Sequence, residues 1–354
     1  MDRNKCISRH LCTRRDALRV GAAASAVGIL GLDPLVARAG ESLMDGPRAP
    51  SGPGHVVKIH MPGMRGRWFP HAEAAQTMVH KAVTTLAKET DIGRAWSKFV
   101  QKEDKVGIKI NCLGGRMSST MKETVDAVVE GVRAVGVPDE NILIFDQFGG
   151  NMRGARYAWQ ETRGRLRVLN HEVLGYEKNW TRAEGARGKL SKALTWCTAI
   201  INVPVIKDHD LAGAGITCAM KNMVFGCVER PAIMHREIAT GLGHFYAREE
   251  IRGRVRLTIA DGTFCLYDGG PKHNPAAHVT HDSIYATTDP VAMDTIALEV
   301  VEGLRREKGL RTLAAVRRPA TFLKVAQELG LGISDRDRIF LENLEMPRFT
   351  GASA

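Results

Sequence analysis

Seven short apolar runs, each separated from the next by stretches of other character, constrain this chain more than any other feature. They are VVKIHM (56–61), KVGIKIN (105–111), NILIFD (141–146), RLRVLN (165–170), AIINVPV (199–205), VRLTIAD (255–261) and SIYATT (283–288). Most are apolar on both faces, as strands covered on both sides must be. Between them, residues 71–88, 120–134, 233–251 and 290–307 repeat apolar side chains at helical spacing. The alternation predicts an α/β fold, with a mainly parallel sheet and helices on both faces in three layers. The domain runs over 56–344, without internal repeat or low-complexity segment. Residues 151–190, rich in Arg, Gly and Glu, read as an insertion or the start of a smaller second lobe.

The amino terminus has a different character. TRRDALRV sets Arg14 and Arg15 before a mild Gly/Ala-rich apolar run at 20–32, and Ala-Arg-Ala follows at 37–39. This is the pattern of a twin-arginine export signal over 1–39, cleaved after Ala39 and followed by a Gly/Pro linker over 40–55. It predicts a partner, the twin-arginine translocation machinery, and export of the folded protein to the periplasm or beyond. The apolar run is too short for a permanent membrane anchor, so the mature product is expected to be soluble. The segment also accounts for part of the net charge. Of the formal +11, residues 1–39 supply seven Lys/Arg against three Asp/Glu, leaving +7. The remaining basic residues are mixed with acids and lack regular aromatic interleaving, so no nucleic-acid partner is predicted.

Five cysteines remain in the mature chain: Cys112, Cys197, Cys218, Cys227 and Cys265. They are odd in number and widely scattered, and no Cys-x-x-Cys occurs. Neither a disulfide framework nor a local zinc, iron–sulfur or haem motif is written in that spacing. Small buried apolar residues are the expected role.

Parallel sheets bind ligands beyond the carboxyl ends of their strands, so polar residues directly after the apolar runs are the first candidates. These are Asn111, Asp146, Lys207, Asp261 and Asp289. After the second run, Gly114 and Gly115 free the backbone and Arg116 adds a fork of donors. Thr120 and Glu123 there have the spacing of a capping box. Asp289 is placed to cap a helix whose first residue is Pro290, with Asp294 about one turn further in. In KDHDLAGAGITCAMKNMVFGC (207–227), Lys207 and His209 follow a strand on a loop, with alternate residues facing one way. A helix is expected to start near Thr217, with Lys221 one turn on and pointing back to the mouth of the sheet.

Three blocks, VGIKIN, IINVPVIKDHDLAGAGITCAMKNMVFGCV and TTDPVAMD, resemble in sequence and order the recurrent blocks of the bacterial domain of unknown function 362 family. The resemblance covers most of 56–344. It implies an α/β fold and points to Lys109, Asn111, Lys207, His209, Thr217, Lys221, Asn222, Asp289 and Asp294 as shared polar positions. It supplies no reaction. Many relatives also carry a ferredoxin-like segment with clustered cysteines, which this chain lacks.

The leading functional expectation is an exported enzyme, or enzyme-like binder, of a small anionic ligand bearing carboxylate or phosphate. Lys109, Arg116, Lys207 and Lys221 would hold it, with His209, Asp146 and Asp261 as acid–base candidates. His235 and His244 read as exposed or packing residues. The alternative is a metal or iron–sulfur protein in redox traffic, with Cys112, Cys218, Cys227 and His209 converging on a cluster or divalent ion that the spacing does not indicate. A non-catalytic binding module is the third reading.

Overall fold

A computed structural model describes residues 52–351, apart from 162, 163 and 185. The signal reading of 1–39, and most of the linker, lie outside the described residues. Among these, no helix is long and apolar enough to cross a membrane.

The strands are β1 (His55–His60), β2 (Val106–Lys109), β3 (Ile142–Asp146), β4 (Arg167–Asn170), β5 (Thr181–Ala183), β6 (Ala186–Gly188), β7 (Ala199–Asn202), β8 (Val205–Asp208), β9 (Ile216–Thr217), β10 (Val255–Leu266), β11 (His278–Thr287) and β12 (Phe340–Glu345). The longer helices are α1 (Ala72–Ala87), α2 (Lys122–Ala134), α3 (Ala219–Phe225), α4 (Ile238–Tyr246), α5 (Pro290–Glu307) and α6 (Phe322–Glu328). Ten strands form one sheet in the order β12-β1-β11-β10-β7-β2-β3-β4, with β8 beside β10 and β9 beside β8. Pairing is parallel except where β11 meets β1 and β10, and where β9 meets β8.

Period-two alternation distributes the sheet's side chains between two cores. Ile142 and Ile144 pack with α1 and α2 on one face. Leu143 and Phe145 pack with α3 to α6 on the other. The expected three-layer α/β architecture is therefore present. Segment 151–190 contributes β4, at the edge of the main sheet, and the separate hairpin β5–β6.

One irregularity makes room for a site. Strand β10 pairs first with β7 and then, past Pro204, with β8. The strand breaks at Val203–Pro204 because proline has no amide to give the ladder. Around the break, the Asp261 amide donates to Pro204 O at 2.8 Å and the Val203 amide to Lys109 O at 2.7 Å.

Several local expectations need correction. Asp261 does not end its strand, since β10 continues to Leu266. Lys207 lies within β8 rather than on a loop, and Thr217 lies in β9, with α3 starting at Ala219. The capping box at Thr120 is absent. Its hydroxyl instead donates to Val203 O and accepts the Asn111 amide, while Glu123 forks with Arg156. The helix expected over 233–251 is broken into a 3-10 turn (Pro231–Glu237), α4 and a short helix (Glu249–Arg252), the second break falling where Arg248 is extended at φ −61°, ψ 139°.

Candidate functional site

Strands β2, β3, β7 and β8 deliver polar residues from their carboxyl ends to one place, which α3 covers. Lys109, wholly buried, donates to Asp146 Oδ1 at 2.7 Å, to Ile110 O at 2.6 Å and to Asn222 Oδ1 at 3.2 Å. Asp146 also accepts the Cys112 amide at 2.7 Å. Asn111 donates to Asn222 Oδ1 at 3.1 Å, and Asn222 donates to Asn202 Oδ1 at 2.8 Å. Asn202 in turn donates to Ala219 O at 2.9 Å. Lys207 closes the set, donating to Asn111 Oδ1 at 2.8 Å and Ser118 O at 3.3 Å. A buried polar group needs partners of this kind, and a network that supplies them all holds its members in one geometry.

Gly226, directly after α3, lets Lys109 reach this position. A Cβ there would stand 2.5 Å from Lys109 Nζ.

Above the network lies a cavity of about 350 Å³. Its polar lining includes Asn111, Asp146, His209, Thr217, Lys221 and Asn222, and Leu113, Phe148, Leu211, Phe225, Pro231 and Pro271 supply apolar wall. Lys221 Nζ sits 3.0 Å from His209 Nε2 and 4.5 Å from the centre of the Phe225 ring. Burial, aided by the charge of Lys207, pulls the Lys221 amine down to about 7. Burial likewise brings Lys207 to about 8. His209 is pulled to about 2 by burial and then by Lys221, so its ring is neutral. The buried Thr217 hydroxyl has no hydrogen-bond partner among the described residues.

The loop bearing His209 is clamped from outside the cavity. Arg318 donates to both Asp208 oxygens, at 2.8 and 3.0 Å, and to His209 O at 3.0 Å. The Gly270 amide adds a bond to Asp208 Oδ2 at 3.0 Å.

The sheet thus brings Lys109, Asn111, Asp146, Lys207, His209, Thr217, Lys221 and Asn222 together, with Lys109 and Lys207 behind the cavity floor and not on its surface. Four other candidates stand apart. Asp289 follows an antiparallel strand and so lies at the opposite end of the sheet. There it caps α5 through the Val291 and Ala292 amides and accepts Gly54 N and Ile333 N. Asp294 accepts the Ala219 and Met220 amides. Asp261 accepts the Met121 and Thr263 amides. Arg116 is exposed, with its guanidinium 4.9 Å from the Phe69 ring.

The three cysteines of the metal reading do not converge. Cys218 and Cys227 are buried in one core, Cys112 in the other, and burial raises each thiol above its ordinary range. No group of three or more His, Cys, Asp or Glu side chains among the described residues is placed to hold a metal ion.

Asn202, Ser118, His235 and Arg318 were not among the sequence candidates. Asn202 had the same signal as Asn111, a polar residue at the end of an apolar run. His235 stacks on Phe225 at 4.9 Å and lines the cavity. Its place depends on the 3-10 turn, which helical spacing conceals.

Fold and site define an α/β protein whose buried lysine–asparagine network underlies a cavity at the carboxyl ends of parallel strands. The chain belongs to the family described as a domain of unknown function (DUF362), whose model matches residues 106–299, more than half the chain. No curated protein matches the sequence. Among solved structures, the lactate racemase apoprotein from Thermoanaerobacterium thermosaccharolyticum is similar at 11% identity with a TM-score of 0.35, over 73% of this chain. The matched region covers 58% of that protein, and nothing about the site here follows from it.

Proposed function

We propose that this chain is an exported enzyme of a small organic anion, which it binds by a carboxylate or phosphate in the cavity beside Lys221. The observation that carries the reading is an imbalance of buried charge. Lys109, Lys207 and Lys221 are all buried, yet only Lys109 has a carboxylate within ion-pair distance among the described residues. Buried charge without a partner is costly, and an anionic ligand would relieve it. The Thr217 hydroxyl supports the same reading, since a ligand oxygen would satisfy it. The apolar wall suits a short carbon chain. Lys221, drawn down to about 7 and hydrogen-bonded to the neutral His209 ring, is suited to move a proton at neutral pH.

Thermal unfolding and calorimetry with a panel of phosphates and short carboxylates test binding. We expect at least one to raise the midpoint of the wild-type protein, with binding about tenfold weaker in Lys221→Met. A panel without effect on the wild type, or an effect undiminished in the variant, would reject the site. Export rests on Arg14 and Arg15. Replacing both with lysine is expected to leave the precursor in the cytoplasm, read by fractionation and by size on a gel.

A further inference from the structure

Only one of the three buried lysines presents its amine to the cavity. The three hydrogens of Lys109 go to Ile110 O, Asp146 and Asn222, and two of those on Lys207 go to Asn111 and Ser118 O, behind the cavity floor. Lys221 lines the cavity, and among the described residues its one hydrogen bond is to a ring nitrogen, His209 Nε2.

That contact can hold its proton in two ways, set by the far side of the ring. The Leu211 amide donates to His209 Nδ1 at 3.2 Å. With Nδ1 accepting, the single proton of the neutral imidazole is on Nε2, and Lys221 must be an uncharged amine offering its lone pair. The Asp210 carboxylate also lies 3.2 Å from Nδ1 and is largely exposed. With the proton on Nδ1 facing Asp210, Nε2 accepts from a Lys221 ammonium. Passing from the second state to the first moves one proton from Lys221 to Nε2 and one from Nδ1 to Asp210, which returns it to water. The ring is thus a neutral relay that discharges a buried amine. The groups facing Lys221 are His209, His235, Lys207 and Asp210, and none is a buried carboxylate that would hold the ammonium.

We propose that Lys221 captures the carbonyl of a small oxo acid as an imine. The inference rests on the anion-binding reading above and narrows its ligand to acids that also carry a ketone or aldehyde. The Lys221 lone pair attacks the carbonyl carbon and forms the C–N bond. The carbonyl π pair moves to oxygen, which takes the proton from Nε2, and Nε2 takes in its place one proton of the now cationic nitrogen. The carbinolamine oxygen then takes the restored Nε2 proton and leaves as water as the nitrogen lone pair forms C=N, and Nε2 recovers the remaining proton from that nitrogen. Amine and carbonyl give imine and water, with no oxidation or reduction. The charge of Lys207 behind the floor favours the acid's carboxylate, and Thr217 Oγ is available to the carbinolamine oxygen.

Reductive trapping tests this directly. The full chain is incubated at neutral pH with pyruvate, 2-oxoglutarate or succinic semialdehyde and cyanoborohydride, then peptide-mapped by mass spectrometry. One reduced adduct is expected, on Lys221, forming at least about tenfold faster than on any surface lysine, because an ordinary lysine is neutral in roughly one molecule per thousand at pH 7. His209→Asn is expected to slow trapping and move its pH profile upward, while Lys221→Arg abolishes it. An unmodified Lys221 in the wild type overturns the proposal whatever the variants do. If pyruvate and its non-carbonyl counterparts lactate and propionate then still raise the unfolding midpoint, the anion site stands without the imine. If neither these nor the phosphates do, the anion reading falls as well.

Discussion

Asp294, in the second turn of α5, accepts the amides of both Ala219 and Met220, at 2.6 and 3.0 Å, and so caps the helix that carries Lys221 and Asn222. Burial raises its carboxyl to about 7, despite these bonds. The folded state therefore holds a proton that the unfolded chain has lost above about pH 4. Stability from this group is present at low pH and declines as pH rises from about 4 through 7. Asp294→Asn cannot titrate. Relative to it, the wild type should lose on the order of 2–4 kcal/mol across that window, read from urea midpoints at successive pH values. Parallel curves for the two proteins would exclude an ionising Asp294.

The Lys109–Asp146 pair makes a different demand on stability. Removing one partner leaves the other charge buried and unpaired, at about 3–5 kcal/mol. Lys109→Met and Asp146→Asn should each destabilise by that order. Lys109→Met/Asp146→Asn should be clearly less destabilised than the sum of the two, in a double-mutant cycle by chemical denaturation.

Lys221 titrates in the opposite sense to Asp294. Its folded value of about 7 lies below the ordinary lysine range, so the folded state releases a proton that the unfolded chain keeps. The penalty is complete below about pH 7 and is relieved as pH rises towards 10. Without ligand, any advantage of Lys221→Met over wild type should shrink by about 2–4 kcal/mol between pH 6 and 10. Comparing the two proteins cancels the buried thiols, which shift stability the other way at alkaline pH.

Thr217→Val separates a ligand contact from a structural one. The hydroxyl bonds nothing among the described residues, so replacing it with a methyl group should leave the ligand-free protein unchanged or more stable by about 1 kcal/mol. Binding of an anion that raises the wild-type midpoint should weaken about tenfold. A loss of stability without ligand would instead assign the hydroxyl to the fold.

Helix α5 was legible from sequence to the residue, because Asp289-Pro290 is a local signal and its bonds are local too. The location of Asp289 was not. An apolar run shows that a strand is buried, and strand direction leaves no mark on the run, so reversal of β11 places Asp289 away from the cavity. The gathering of Lys109, Asn111, Asp146 and Lys207 was legible because parallel strands bring their carboxyl ends together. Lys221 meeting His209 was not, since that contact depends on the turn-back from β8 to β9 across Gly213 and Gly215, both at positive φ. The division of labour between lysines was also hidden. Only three-dimensional packing places Lys207 behind Asn111 and Lys221 on the open side.

All seven residues of α3 are buried, with core beneath the helix and network and cavity above. An ordinary surface helix tolerates changes on its outward stripe, so its response to substitution rises and falls every three or four positions. Residues 219–225 have no such stripe. A scan of single substitutions scored for folded protein should return a level band of intolerance there, while α2, with one solvated side, shows the usual ripple. Variation that reshapes the cavity without unfolding the protein would then have to enter elsewhere, through rim positions such as Leu113 and Phe148, both more than 40% exposed.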